Sequence, residues 1–152
     1  MTNTFDEQVR RQVERFRSRS YQAIEAEVTQ KRLAWLEQHR PKPDRPVSPR
    51  AAFELLFLDY MGLTPADLPV IRETDRQIVW LSRNPCPTLV ACQQLGLDTR
   101  QVCRAAFEQS TQAFLSYLDP HLRFWRSYEE IRPYASHCRE MIVRLDLDMR
   151  WP

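Results

Sequence analysis

"QIVWLSRNPCPTLVACQQLG" spans residues 77 to 96 and changes period within one stretch. Ile78, Val79, Trp80 and Leu81 are β-prone and bounded by polar residues, so 77 to 82 reads as a strand. After Asn84, Pro85, Cys86 and Pro87 the pattern turns helical over 87 to 95, and Gly96 stops it. With Pro87 at the first helical position, Cys86 is the N-cap or its neighbour. A strand feeding a helix this way belongs to a mixed fold, and the rest of the chain decides which one.

Downstream, Asp98 or Thr99 caps a longer helix, about 99 to 118, with Val102, Ala106, Phe107, Ala113, Phe114, Tyr117 and Leu118 inward. Asp119, Pro120 and His121 break it, and Leu122 and Phe124 begin a second strand reaching Arg126. In "REMIVRLDLDM" (139 to 149), Met141, Val143, Leu145, Leu147 and Met149 alternate with Ile142, Arg144, Asp146 and Asp148. Period two over that length is a half-buried strand. Upstream, Val70 to Arg72 can pair with 77 to 82 across a turn at Glu73 to Arg76.

The N-terminal part is helical. Phe5, Val9, Val13 and Phe16 recur at spacings of four and three, as do Tyr21, Ile24 and Val28, with a slip of register between the two sets. Residues 5 to 38 therefore read as two helices or one bent helix. Arginines and glutamates intersperse on the opposite face, which reads as a solvated surface, with an oligomer contact or an anionic partner as the alternatives. "HRPKPDRPVSPR" (39 to 50) holds four prolines and is a stiff connector. Ser48 and Pro49 then open a helix that is apolar nearly all round, "RAAFELLFLDYMG", ended by Gly62. The expectation is an α+β fold: a helical N-terminal part packed on a small, mainly antiparallel sheet of about three or four strands, with two helices between strands. Its parts are a helical segment at 1 to 38, the connector at 39 to 50, and an α+β unit at 51 to 152, folding as one compact unit.

Composition limits the function. Two glycines against eleven prolines leave no phosphate-cradling loop. A formal charge of +2 is too small to argue for nucleic acid. Arg100, Arg104, Arg123, Arg126, Arg132 and Arg139 do lie among Phe124, Trp125, Tyr128 and Tyr134. Glu108, Glu129, Glu130, Asp146 and Asp148 interleave with them, so this is a solvated surface rather than a base-stacking one. No apolar run approaches the ~20 residues that span a bilayer, and the first residues carry no signal-peptide core. The expectation is a cytoplasmic chain with reduced cysteines and neither nucleic acid nor membrane as partner.

The four cysteines carry what chemistry there is. Cys86 sits where free backbone N–H groups and the helix dipole favour a thiolate, with Arg83 nearby to lower its pKa further. Cys92 and Cys103 lie inside helices, where packing explains a cysteine well. Cys138 follows His137 just before the final strand. A Cys86–His137 pair would supply a nucleophile and its base, oriented by Glu129, Glu130 or Glu140. His39 reads as a loop residue and His121 as a helix-end cap. The spacing C-x5-C-x10-C-x34-C matches neither zinc ribbons nor ferredoxin runs. A thiolate-bound zinc or iron therefore requires the fold to bring Cys86, Cys103 and Cys138 together, with Cys92 the weakest member.

"IVWLSRNPCPTLVACQQLGLDTRQVC", followed by "HC" at 137 to 138 and a closing strand, resembles the L-2-amino-thiazoline-4-carboxylic acid hydrolase-like domain. The matching positions are Cys86, Pro87, Leu95, Gly96, Cys103 and Cys138, within about residues 50 to 148. Ala135, Ser136 and His137 stand where the family approaches its last cysteine with acidic residues and glycine. The resemblance implies that Cys86, Cys103 and Cys138 cluster, and that the site takes a small-molecule ligand. It implies hydrolysis of a C–N bond in a small heterocycle or amide; the residues themselves, apart from the resemblance, offer Cys86, His137 and Cys138 as catalytic candidates. The alternatives are a metal- or cluster-binding module and an interaction protein that forms a homodimer through its N-terminal helix.

Overall fold

The computed structural model describes residues 4 to 146. Helix α1 (Phe5–Ser18) starts with a capping box: Thr4 accepts from the backbone of Glu7, whose side chain returns to Thr4. It ends at Arg19, and Ser20 caps α2 (Tyr21–His39), so the slip of register is a break between two helices. Ser48 and Pro49 open α3 (Pro49–Phe53) as expected, and the helix widens into a π-helical stretch over Glu54–Tyr60. Gly62 follows with φ 70°, a left-handed conformation that costs glycine nothing. A 3-10 turn (Pro65–Asp67) leads to β1 (Val70–Glu73) and β2 (Gln77–Ser82).

Helix α4 (Pro87–Leu95) has Cys86 as its N-cap and Gly96 at φ 69° as its stop. Asp98 caps α5 (Thr99–Ala106). The single helix expected over 99 to 118 is two, because α6 (Glu108–Leu118) begins after a break at Phe107. The hydroxyls of Ser110 and Thr111 both donate to the Phe107 carbonyl, at 2.8 and 3.1 Å. Such bonds back to a carbonyl compete with the helical backbone pattern and favour a bend at that point. Strands β3 (Leu122–Arg126) and β4 (Cys138–Arg144) close the chain; Leu147 and Met149 lie outside the described residues.

The four strands form one antiparallel sheet in the order β1-β2-β4-β3, so the fold is α+β. Cross-strand partners share a face. Ile78, Ile142 and Phe124 form one row on the core side, Trp80, Glu140 and Arg126 the next, and Ser82 with Cys138 the last. In β4 Ile142 is fully buried on the core side, while on the other face Val143 is buried and Met141 half-buried. Ile78 and Trp80 meet Phe53 and Phe57 from above, with ring centroids of Trp80 at 4.7 and 4.9 Å from them. Leu36 of α2 and Phe114 and Leu115 of α6 belong to the same cluster, so the N-terminal helices share the core of the sheet. That core is apolar at the Ile78 end and turns polar toward Ser82 and Cys138.

Candidate functional site

The polar end of the sheet is where β2 hands over to α4. Trp80 Nε1 donates to Ser82 Oγ, Ser82 Oγ donates to Glu140 Oε1, and Arg126 Nη2 donates to Glu140 Oε2 at 3.1 Å. Ser82 and Glu140 are both 4% exposed, so this network is inside the protein. Just beyond it, Asn84 is buried and its carbonyl accepts from Arg132 Nη1 at 2.6 Å.

Cys86 stands at the N-terminus of α4 without a side-chain cap bond. The thiolate expected there is not favoured. Burial pushes the Cys86 thiol up, outweighing the backbone N–H groups of Leu89 and Thr88 and the guanidinium of Arg132. The arginine beside it is thus Arg132, while Arg83 is exposed. Cys138 accepts from the backbone N–H and Nε of Arg132, at 3.4 and 3.3 Å. Cys103 is pushed up to about 12 by burial, against Arg126, and Cys86, Cys138 and Cys92 add to the rise. Cys86 and Cys103 line one cavity, while Cys138 lies against Arg132. Cys92 is fully buried in helix packing, and burial raises it to about 11.

Neighbourhood is not ligation. Among the described residues no group of three or more His, Cys, Asp and Glu side chains is placed to hold a metal ion. Cys86, Cys103 and Cys138 do not form a ready-made zinc or iron site. The Cys86–His137 pair is also not made. His137 Nδ1 meets Ser136 Oγ at 3.2 Å and Nε2 meets Glu130 Oε2 at 3.1 Å, so both ring nitrogens are engaged on the surface loop. Glu130, one of the three expected orienting groups, does orient His137, but away from the thiol.

What faces Cys86 is a cavity of about 510 Å³. Cys86 and Cys103 both stand in its wall, with Thr88 and Asn84 beside them. Helix α1 closes one side, where Gln12 Nε2 donates to Thr88 Oγ1 at 3.2 Å. Val28, Phe57, Met61, Leu63 and Phe107 supply an apolar part. Two arginines, Arg32 and Arg126, complete the wall from α2 and β3. Their sequence context hid them: Arg32 lies among the polar residues of an N-terminal helix, and Arg126 among surface-like arginines and aromatics. The one available signal was that Arg126 shares a strand face with inward Leu122 and Phe124.

Comparison with family models, curated proteins and solved structures found no match to this chain. Among the described residues no helix is long and apolar enough to cross a membrane.

Proposed function

We propose that this protein binds a small organic molecule in the cavity at the head of α4, with Cys86 against the ligand. One observation carries the reading: Cys86 and Cys103, separated in the chain, stand in the wall of one cavity of about 510 Å³. That size suits a compact organic ligand, and the wall combines apolar surface with a few convergent polar groups.

Likeness to the hydrolase-like family extends the reading to a reaction on a C–N bond of a small heterocycle or amide. The Cys86 sulfur would attack the ring or acyl carbon, and the C–N electrons would leave with nitrogen. Among the described residues no Asp, Glu or His lines the cavity. The thiol proton would therefore pass to the leaving nitrogen itself, and water would then cleave the new C–S bond. A thiol held neutral by burial fits this order, because it gives up its proton only as the substrate accepts it.

An NMR screen of small heterocyclic acids and amides tests both layers. Cys103→Phe fills the cavity and is expected to abolish binding of the hits. Cys86→Ala is expected to keep binding and lose any turnover. Hits that bind Cys103→Phe as well as the wild type would remove the cavity as the site; turnover that survives Cys86→Ala would remove the nucleophile.

A further inference from the structure

The sheet has a second face. Among the described elements the helices that pack closely on the strands are α3 and α6, and both lie on the side of Ile78 and Trp80. The opposite face holds Val79 and Met141 in one row between Arg72 and Trp125, and Val143 beside Arg123 in the next. Arg139 follows Met141 on β4, across from Leu81. Val79 and Val143 lie low in the middle, at 4% and 8% exposure, while Trp125 stands out at 40%. Arg72 and Arg123 at the two edges are exposed as well.

Charge on this face has one sign. The strands contain two acidic residues, Glu73 and Glu140, and their cross-strand partners Ile78 and Trp80 put both on the core side. Arg123 spends one guanidinium nitrogen on the carbonyls of Pro120 and Leu122, which leaves its charge without a carboxylate. Arg139 comes no nearer than 4.0 Å to Glu130. The acidic residues that interleave with these arginines along the chain are therefore sorted away from them by the register. Tryptophan, methionine and arginine together, with no lysine, aspartate or glutamate among them, is the composition that marks a surface bound by another protein.

We infer that this face docks an acidic amphipathic helix of another protein, its apolar stripe on Val79, Met141 and Val143 and its carboxylates against Arg72 on one side and Arg123 on the other. The dimensions suit one helix. β1 and β3 are the outer strands of four, so their arginines stand roughly 14 Å apart across the sheet, and a helix is about 10 Å wide. A second copy of this chain fits worse, since it would set arginines against arginines. Single-stranded nucleic acid would need successive aromatic rings to stack on, and Trp125 is the one ring on this face. A bilayer takes up apolar side chains that protrude, and here the central valines are recessed. The surface is separate from the cavity, which lies on the helical side of the sheet.

Fluorescence anisotropy with three labelled peptides of about 18 residues tests this on the full chain. One has a leucine stripe at helical spacing flanked by glutamates, the second has the same stripe flanked by lysines, and the third is the glutamate peptide scrambled. The glutamate peptide is expected to bind best, the scrambled one about tenfold weaker or worse, the lysine one not at all. Arg72→Glu combined with Arg123→Glu is expected to reverse the preference, so that the lysine peptide binds and the glutamate peptide does not. Trp125→Ala is expected to weaken the glutamate peptide about tenfold. All three positions are exposed, so the melting temperature is expected to stay put, and a reversed preference is a gain that misfolding cannot produce. Equal binding of the striped and scrambled peptides, a preference that survives charge reversal, or failure of every peptide to bind overturns the inference. Tighter binding of oligothymidylate or of phosphatidylserine vesicles than of the glutamate peptide overturns the protein partner. A wild-type dimer in sedimentation that Trp125→Ala dissociates overturns it in favour of a second copy.

Discussion

The carboxylate of Asp119, 5% exposed, gathers donors from three parts of the chain. It accepts from the backbone N–H of Val47 at 3.0 Å, from that of His121 at 2.9 Å, and from Arg144 Nη1. The proline-rich connector, the turn before β3 and the end of β4 are thus tied at one side chain. Burial alone would raise its pKa, but Arg144 and the backbone donors outweigh burial and hold the carboxyl well below its ordinary 3.8. A depressed folded-state value means that the stabilisation is complete above about pH 3.8 and is lost as the pH falls below it. Asp119→Asn keeps the shape, loses the charge and removes one of the two carboxylates that the half-buried Arg144 meets, Asp146 being the other. It is expected to cost about 1–3 kcal/mol at neutral pH and to flatten the acid limb of the stability curve. Urea titrations of both proteins at several pH values check this, and parallel acid limbs would contradict it. Asp119 was readable in the sequence only as part of a helix-breaking Asp-Pro-His. Arg32 and Arg126 were equally opaque, because a guanidinium in water and one in a cavity wall look the same in the chain. Only the register that sets Arg126 opposite Glu140 separates them.

At the level of single elements, starts and stops follow local chemistry and were legible. Ser48 with Pro49, Cys86 with Pro87, and both glycines act within a turn of their own position, where capping and φ preference decide. Gly96 illustrates the size of such an effect. Its φ of 69° is left-handed, yet a Cβ there would meet no atom within 4 Å. The cost of Gly96→Ala is then backbone conformation alone, about 1 kcal/mol, and Gly96→Asn is expected to cost less. Chemical denaturation of the two variants measures the difference; equal losses would mean that the cap is not the cause. Two features were not legible. The break at Phe107 depends on the hydroxyls of Ser110 and Thr111 turning back on one carbonyl, while the apolar spacing continues across it. The phase of β4 depends on its partners: paired with Trp80, Glu140 faces inward because Ser82 and Arg126 satisfy it there. A periodic pattern reports that a strand has two faces, and its neighbours decide which face is covered.

Across the whole molecule, the convergence of distant thiols and arginines on one cavity depends on the N-terminal helices docking against the α4–α6 side of the sheet domain. Leu36 of α2 is fully buried in the same cluster as Phe53, Trp80 and Phe114. Trp35 stacks toward Phe114 with centroids at 6.3 Å and meets Tyr60 at 5.2 Å. Arg32, one turn earlier on α2, bonds Thr111 of α6 across 79 residues of sequence. If these contacts make one cooperative unit, a lesion in α2 weakens the sheet as much as it weakens the helix. Leu36→Ala removes a buried side chain at a site walled by aromatic rings that cannot easily collapse, and is expected to cost about 2–5 kcal/mol. The loss is expected in a single transition, with tryptophan fluorescence and far-ultraviolet dichroism moving together. Two separated transitions, with Leu36→Ala shifting only the helical one, would show an N-terminal pair that docks after the sheet domain has folded. The cavity would then open whenever that pair detached, and ligand affinity would fall in step with the lost docking energy. A single transition instead makes the cavity as permanent as the fold, so that the two buried arginines are held in place before any ligand arrives.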